Sequence, residues 1–258
     1  MLLLIDAGNT RVKWALAESS PEGSKGWLGN WDAAGSVPHD GVPSLAKVWS
    51  NVVITRVLIA NVAGATLRST LQTVLDATLD ANTPVEWFVS SAQRGGVHNH
   101  YRNPAQLGCD RFAAAIGAQA LHPGKPLIVA TCGTATTIDA VSTEGGFVGG
   151  MILPGICLMT ASLAQHTAQL PQVELHANPA YPFADHTDAA IVSGCLSAQA
   201  GAIERAVTAL SASTQNDVVT CILAGGAADL IAPQLSIQHE RIDNLVLIGL
   251  QTVATSSC

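Results

Sequence analysis

Three short stretches carry residues whose types and spacing could perform phosphate and proton-transfer chemistry. The first, "DAGNT" at 6–10, ends an apolar run with a carboxylate and follows it with small and polar residues. A turn of this composition lets backbone N–H groups converge on an anion, and Gly8 permits a conformation that a Cβ would obstruct. Asn9 and Thr10 add side-chain donors, and Asp6 at the strand end is placed to hold Mg²⁺ or its waters against a polyphosphate. The same residues also make an ordinary tight hairpin turn. The second stretch, "CGTATT" at 132–137, offers Gly133 for close approach and hydroxyls from Thr134, Thr136 and Thr137. A threonine-rich hairpin with no ligand is the competing reading. The third, "YRNPAQLGCDRF" at 101–112, places an acid directly before an arginine near a helix start. Asp110 could accept the proton of an attacking hydroxyl, and Arg111 could orient an anionic substrate. A solvated Asp/Arg helix pair explains the same residues without chemistry.

The elements that must position these stretches follow from hydrophobic pattern. Residues 2–6 form a continuous apolar run and 12–17 alternate, which predicts a hairpin, with a third strand near 25–32. A short helix is expected at 42–50, strands at 56–61 and 85–90, and an amphipathic helix over 65–80. A helix should open with Asn103 as its cap and Pro104 at its first position. The pattern then restarts: strands at 126–131, 136–142 and 145–155, helices near 155–166 and 187–212, a strand at 218–226 and a closing helix at 244–255. The first strand and turn recur 125 residues on, with Asp6 matched by Thr131. Three strands followed by alternating helix and strand, twice over, is a duplicated α/β unit. "LAGG" at 223–226 is a candidate platform for an adenine or ribose, and "GGMILPG" at 149–155 is read as structural.

Composition narrows the class. With 258 residues, 48% hydrophobic and 12% charged, the chain is globular, and a net charge of -7 argues against a nucleic-acid partner. The six cysteines are scattered singly, with no zinc spacing, and the start "MLLLI" is too short for a secretory core. No run reaches membrane-spanning length, so a cytoplasmic location with reduced thiols is expected. His98, His100, His166, His176 and His186 do not sit at metal spacing and are read as loop or surface residues. The five tryptophans, all in the first half, are read as core or interface.

Taken together, "DAGNTRVKW" (6–14), Tyr101 with "LGCDR" (107–111), "CGTATTID" (132–139), "GGMILPG" (149–155) and "HTDAAIVSG" (186–194) resemble the type III pantothenate kinase family. That family belongs to the acetate kinase, sugar kinase, Hsp70 and actin superfamily. The resemblance implies two ribonuclease H-like, actin-like ATPase domains, here 1–118 and 119–258, with an active-site cleft between them, and a homodimer. It implies ATP- and Mg²⁺-dependent phosphorylation of pantothenate, the first step of coenzyme A synthesis. Carried onto this sequence, Asp6, Ala7, Gly8, Asn9, Thr10, Arg11, Val12 and Lys13 form an ATP-phosphate loop, and Thr134 is a second ATP contact. Asp110 becomes the proton acceptor, and Tyr101, Gly108, Cys109, Asp110, Arg111 and Thr187 line the pantothenate site.

One position departs from the family's pattern. Where a D-x-G-T-A motif usually supplies an aspartate associated with K⁺ or NH₄⁺, this chain has Thr131. A neutral hydroxyl attracts an alkali ion far less than a carboxylate does, so the monovalent-ion requirement is expected to weaken or vanish. Two other functions fit parts of the pattern: a related kinase for another small acceptor, and a non-catalytic nucleotide-binding regulator. The regulator's expected signature, loss of Asp6 or Asp110, is absent.

Overall fold

A computed structural model describes residues 1–18, 27–175, 182–214 and 218–256. In chain order the elements begin β1 (Leu2–Ala7), β2 (Arg11–Ala17), β3 (Ala33–Pro38), α1 (Leu45–Trp49), β4 (Arg56–Asn61), α2 (Gly64–Thr78), β5 (Val85–Phe88), β6 (Gln93–Arg94), β7 (Val97–Asn99) and α3 (Cys109–Leu121). They continue with β8 (Leu127–Cys132), β9 (Ala135–Val141), β10 (Gly146–Pro154), α4 (Ile156–His166), α5 (Thr187–Ser213), β11 (Thr220–Ala224), α6 (Ala228–Ile231), β12 (Glu240–Arg241) and α7 (Leu245–Thr255). The chain divides into two compact units: Met1–Pro123 with Asn244–Cys258, and Gly124–Asp243.

The first unit is built on a five-stranded sheet of order β3-β2-β1-β4-β5, antiparallel on the hairpin side and parallel from β1 to β5. Both faces of β1 are covered, which is why it reads as a continuous apolar run and not as an alternating one. Leu3, Ile5 and Ala7 join Val12, Trp14 and Trp49 in one core, with Leu71 and Leu75 of α2. The Trp14 and Trp49 rings meet edge to face at 6.3 Å. The alternate residues, Leu2, Leu4 and Asp6, turn to the opposite face. Helices α3 and α7 pack together within this unit: a Cβ at Gly249 would fall 1.8 Å from the Ala113 carbonyl oxygen, and one at Gly117 would fall 2.5 Å from that of Leu245.

The second unit repeats the plan, with strands ordered β10-β9-β8-β11-β12 and again parallel from β8 outward. The repeat extends to burial. β1 and β8 have the same pattern along their six residues, in which only the fifth, Asp6 or Thr131, is not fully buried. One face of this sheet packs Ile128, Ala130, Cys132 and Ile138 against Cys195, Leu196 and Ile203 of α5.

Three sequence expectations change. The third strand is Ala33–Pro38, not 25–32: residues 27–32 form a turn, while 25 and 26 lie outside the described residues. Asn103 does cap a helix, accepting from the Ala105 amide at 3.2 Å, but this is the short 3₁₀ turn Pro104–Gln106. The α-helix starts afresh at Cys109, because Leu107 and Gly108 are extended. Finally, residues 119–123 and the closing helix group with the first unit, not with Gly124–Asp243. The chain turns back at Asn244, in a left-handed backbone (φ 58°) that asparagine tolerates better than most non-glycine residues. The expectations for His176 and Cys258 lie outside the described residues.

Candidate active site

In the first unit, β1 and β2 are joined by Gly8, Asn9 and Thr10, and the Gly8 amide donates to the Arg11 carbonyl at 3.1 Å. That hydrogen bond makes the turn a true hairpin, so the plain structural reading holds alongside any ligand role. The antiparallel register sets Asp6 opposite Lys13, and Ala7 opposite Val12. Directly opposed residues share a face. Asp6 and Lys13 therefore stand together, whereas the Ala7 and Val12 side chains are buried in the core and leave only backbone for a phosphate. Arg11 is turned sideways onto β3, its guanidinium donating to the Ser36 hydroxyl at 2.8 Å and carbonyl at 3.1 Å. His39 Nε2 lies 2.9 Å from the Gly8 carbonyl; because a carbonyl only accepts, that nitrogen carries the proton. His39 thus braces the turn, a role that no spacing in the sequence announced.

Asp110 lies in the first turn of α3. Its Oδ1 accepts from the Arg111 amide at 2.8 Å, and a Cβ at Gly108 would lie 2.7 Å from that oxygen. Arg111 is buried, at 8% exposure, and its guanidinium donates to the Tyr101 hydroxyl at 3.1 Å. Tyr101 is in turn held by Asn99, which accepts from the Tyr101 amide and donates to the carbonyls of Ser91 and Pro104. Asn99, at the end of the small strand β7, is another residue that sequence reasoning missed. The Cys109 thiol faces the Asn61 carbonyl at 3.6 Å.

The two carboxylates are close enough to feel each other. Burial above all, helped by the charge of Asp110 and opposed by Lys13, raises Asp6 from its ordinary 3.8 to about 7. Burial also raises Asp110, opposed by the Arg111 amide and guanidinium. A carboxylate that is half neutral near pH 7 is under-compensated, and a cation beside it restores the charged form. Among the described residues no group of three or more His, Cys, Asp or Glu could cage a metal. A Mg²⁺ ion drawing most of its ligands from phosphates and water, with one or two carboxylates, suits this donor set.

In the second unit the turn between β8 and β9 is shorter, just Gly133 and Thr134. The Gly133 amide donates to Ala135, the Gly155 amide to the Thr134 carbonyl at 2.9 Å, and the Ala227 amide to the Cys132 carbonyl at 3.0 Å. Thr134 itself is exposed. Where the first unit sets Asp6 opposite Lys13, this one sets Thr131 opposite Thr137, and the buried Thr137 hydroxyl has no hydrogen-bond partner among the described residues. A charged pair is thus replaced by two neutral hydroxyls, which do not fit an ion held by a carboxylate. Thr187 is the first residue of α5 and is exposed.

A duplicated sheet with a hairpin turn at the head of each copy, and acids at a strand end and a helix start, describes the actin-like ATPase and sugar kinase class. Solved structures agree in fold: a protein described as a 2-dehydro-3-deoxygalactonokinase from Sinorhizobium meliloti has a TM-score of 0.55 at 15% identity, covering 98% of both chains. A protein described as a Baf-family transcriptional activator from Campylobacter jejuni gives 0.54 at 18% identity, covering 97% of this chain and 96% of that one. At such identities the likeness is one of fold alone. The chain belongs to the type III pantothenate kinase family, whose model matches residues 2–209. Relatives named type III pantothenate kinase include one from Herminiimonas arsenicoxydans, 62% identical over 98% of this chain and 97% of its own. Another, from Janthinobacterium sp. (strain Marseille), is 60% identical with the same coverage.

Proposed function

We propose that this protein is an ATP:pantothenate phosphotransferase, making 4'-phosphopantothenate and ADP at the head of coenzyme A synthesis. The observation that carries the reading is the pairing of Asp6 and Asp110, two desolvated carboxylates from β1 and the first turn of α3 whose charges interact. In this reading Asp110 accepts the proton of pantothenate's primary hydroxyl as its oxygen bonds to the γ-phosphorus, and the bond from γ-phosphorus to the β–γ bridging oxygen breaks to release ADP. Lys13 and the backbone and polar groups of the 8–11 turn hold the phosphates, and Thr134 supplies a further ATP contact. Mg²⁺, when bound through Asp6 and water, supplies neutralisation of phosphate charge. The Tyr101–Arg111 pair, with Gly108, Cys109 and Thr187, receives the acceptor and its carboxylate. A monovalent ion at Thr131 is not part of the mechanism. Homodimerisation and a cytoplasmic location complete the proposal; among the described residues no helix is long and apolar enough to cross a membrane.

The test is a coupled ADP-release assay with and without pantothenate. The unmodified protein should turn over only with pantothenate, and Asp110→Asn should lose about 10²-fold or more, the usual scale for removing a general base. Equal rates for the two proteins would remove Asp110 from this role.

A further inference from the structure

Arg241, on the two-residue edge strand β12, takes no part in the chemistry above, yet its guanidinium is engaged on several sides. Parallel pairing places it beside Leu223 of β11, two residues before Gly225 opens the turn that follows that strand. Nη2 donates to the Gly225 carbonyl at 3.0 Å, and Nε donates to Asp229 at 3.1 Å. Nη1 lies 2.8 Å from the Asp243 carboxylate. Both acids are mostly exposed, whereas the Arg241 side chain is only 29% exposed, so the acids hold the guanidinium from the solvent side while it reaches inward to backbone.

The turn it braces rests on the second hairpin loop. Gly225 has a φ of +89°, and a Cβ there would fall 2.3 Å from the Cys132 carbonyl oxygen. The Ala227 amide donates to that same carbonyl. Cys132 also feels the Arg241 charge: burial pushes its thiol up to about 12, with Arg241 pulling it down. A chain of contacts therefore runs from Arg241 through Gly225 to Cys132, and on to Thr134, the ATP contact of the proposed function. Arginine suits this task because its planar fork sets Nε, Nη1 and Nη2 in fixed, separate directions toward a carbonyl and two carboxylates, whereas an ammonium offers its donors from one point.

We propose that Arg241 is a positioning residue for nucleotide binding, holding the Gly225–Ala227 turn against the Cys132–Ala135 loop so that both present their backbone to ATP. The inference rests on the kinase reading for its ligand and goes beyond it in assigning the residue that sets the loop. Calorimetric titration with ATP, without pantothenate, tests it on the intact chain. Arg241→Gln should weaken ATP binding about tenfold or more, the scale expected when a charge-assisted hydrogen bond is lost. Arg241→Lys should recover part of that loss. In the kinetic assay the KM for ATP should rise in step, while kcat at saturating ATP and the KM for pantothenate stay within about twofold, since uniform binding is what is lost. Asp229→Asn, at an exposed position, should weaken ATP binding in the same direction and keeps the test open if Arg241→Gln does not fold. Unchanged ATP affinity in Arg241→Gln, or in Asp229→Asn where the first variant is unfolded, would overturn the proposal. So would a proportional loss in kcat and in both KM values accompanied by a lower melting temperature. If the unmodified chain binds ATP but leaves pantothenate untouched, the function reading falls while the titrations still decide the role of Arg241. If it binds no ATP, both fall.

Discussion

Asp6, the proposed Mg²⁺-side carboxylate, illustrates how a group can be held against the interest of the fold. Its carboxyl is raised to about 7, so between roughly pH 4 and 7 the folded chain keeps a proton that the unfolded chain has released. Stability from this group is therefore fully present below pH 3.8, declines as pH rises through the window, and is gone above 7. The effect is at most about 4 kcal/mol, from roughly three pKa units. Asp6→Asn should lose phosphotransfer, and its melting temperature relative to the unmodified protein should climb from pH 4.5 to pH 8. A constant difference across that range would show that burial of Asp6 does not strain the fold. Thr131 makes the opposite case, a site relieved of charge. Replacing Na⁺ by K⁺ should change the rate by less than about twofold, and Thr131→Asp should gain K⁺ activation, because a carboxylate restores the missing attraction. Strong K⁺ activation of the unmodified enzyme would refute this.

At the scale of elements, the crossing of α3 and α7 decides where Asp110 sits. Asp110 is in the first turn of α3, and α3 can lie against α7 only because Gly117 and Gly249 bring no Cβ to the contact. Around these glycines both helices are buried: Ala113, Ala114 and Ala118 on α3, and Leu245, Ile248 and Val253 on α7. Gly249→Ala would place a methyl 1.8 Å from the Ala113 carbonyl oxygen, so the helices must part. The expected cost is at least about 2 kcal/mol, in the upper part of the overpacking range. Urea unfolding should show a lower midpoint, with activity falling as α3 shifts; a midpoint equal to that of the unmodified protein would mean the contact yields freely.

For the whole molecule, each unit is organised on the same strand order, and the family match ends at residue 209, well before α7. Yet α7 belongs to the first unit, whose Gly29 amide is held by Gln251 at 3.0 Å and whose Arg56 donates to the Ala254 carbonyl. Residues about 200 positions apart in sequence thus close one core. The proposed dimer is a property at this scale. Light scattering at micromolar concentration should report twice the 26.5 kDa chain mass; a monomer mass would remove dimerisation from the proposal.

Much of this was legible before any fold was known. The apolar runs of β1, β4 and β8 reported strands covered on both faces, because parallel strands need no polar side. Tight turns at 8–10 and 133–134 followed from glycine beside hydroxyl residues, and the acid missing at Thr131 was visible as a break in the repeat. What sequence could not supply were relations across strands and across the chain. That Ala7 and Val12 turn inward, that Arg11 is occupied by Ser36, that Thr131 meets Thr137, and that Asn99, His39 and Arg241 brace the loops all depend on register and packing. Hydrophobic periodicity records which residues avoid water, so the strands and the charge loss at 131 were determined locally. Only the tertiary structure decided which polar groups are buried together, because that depends on elements far apart in the chain.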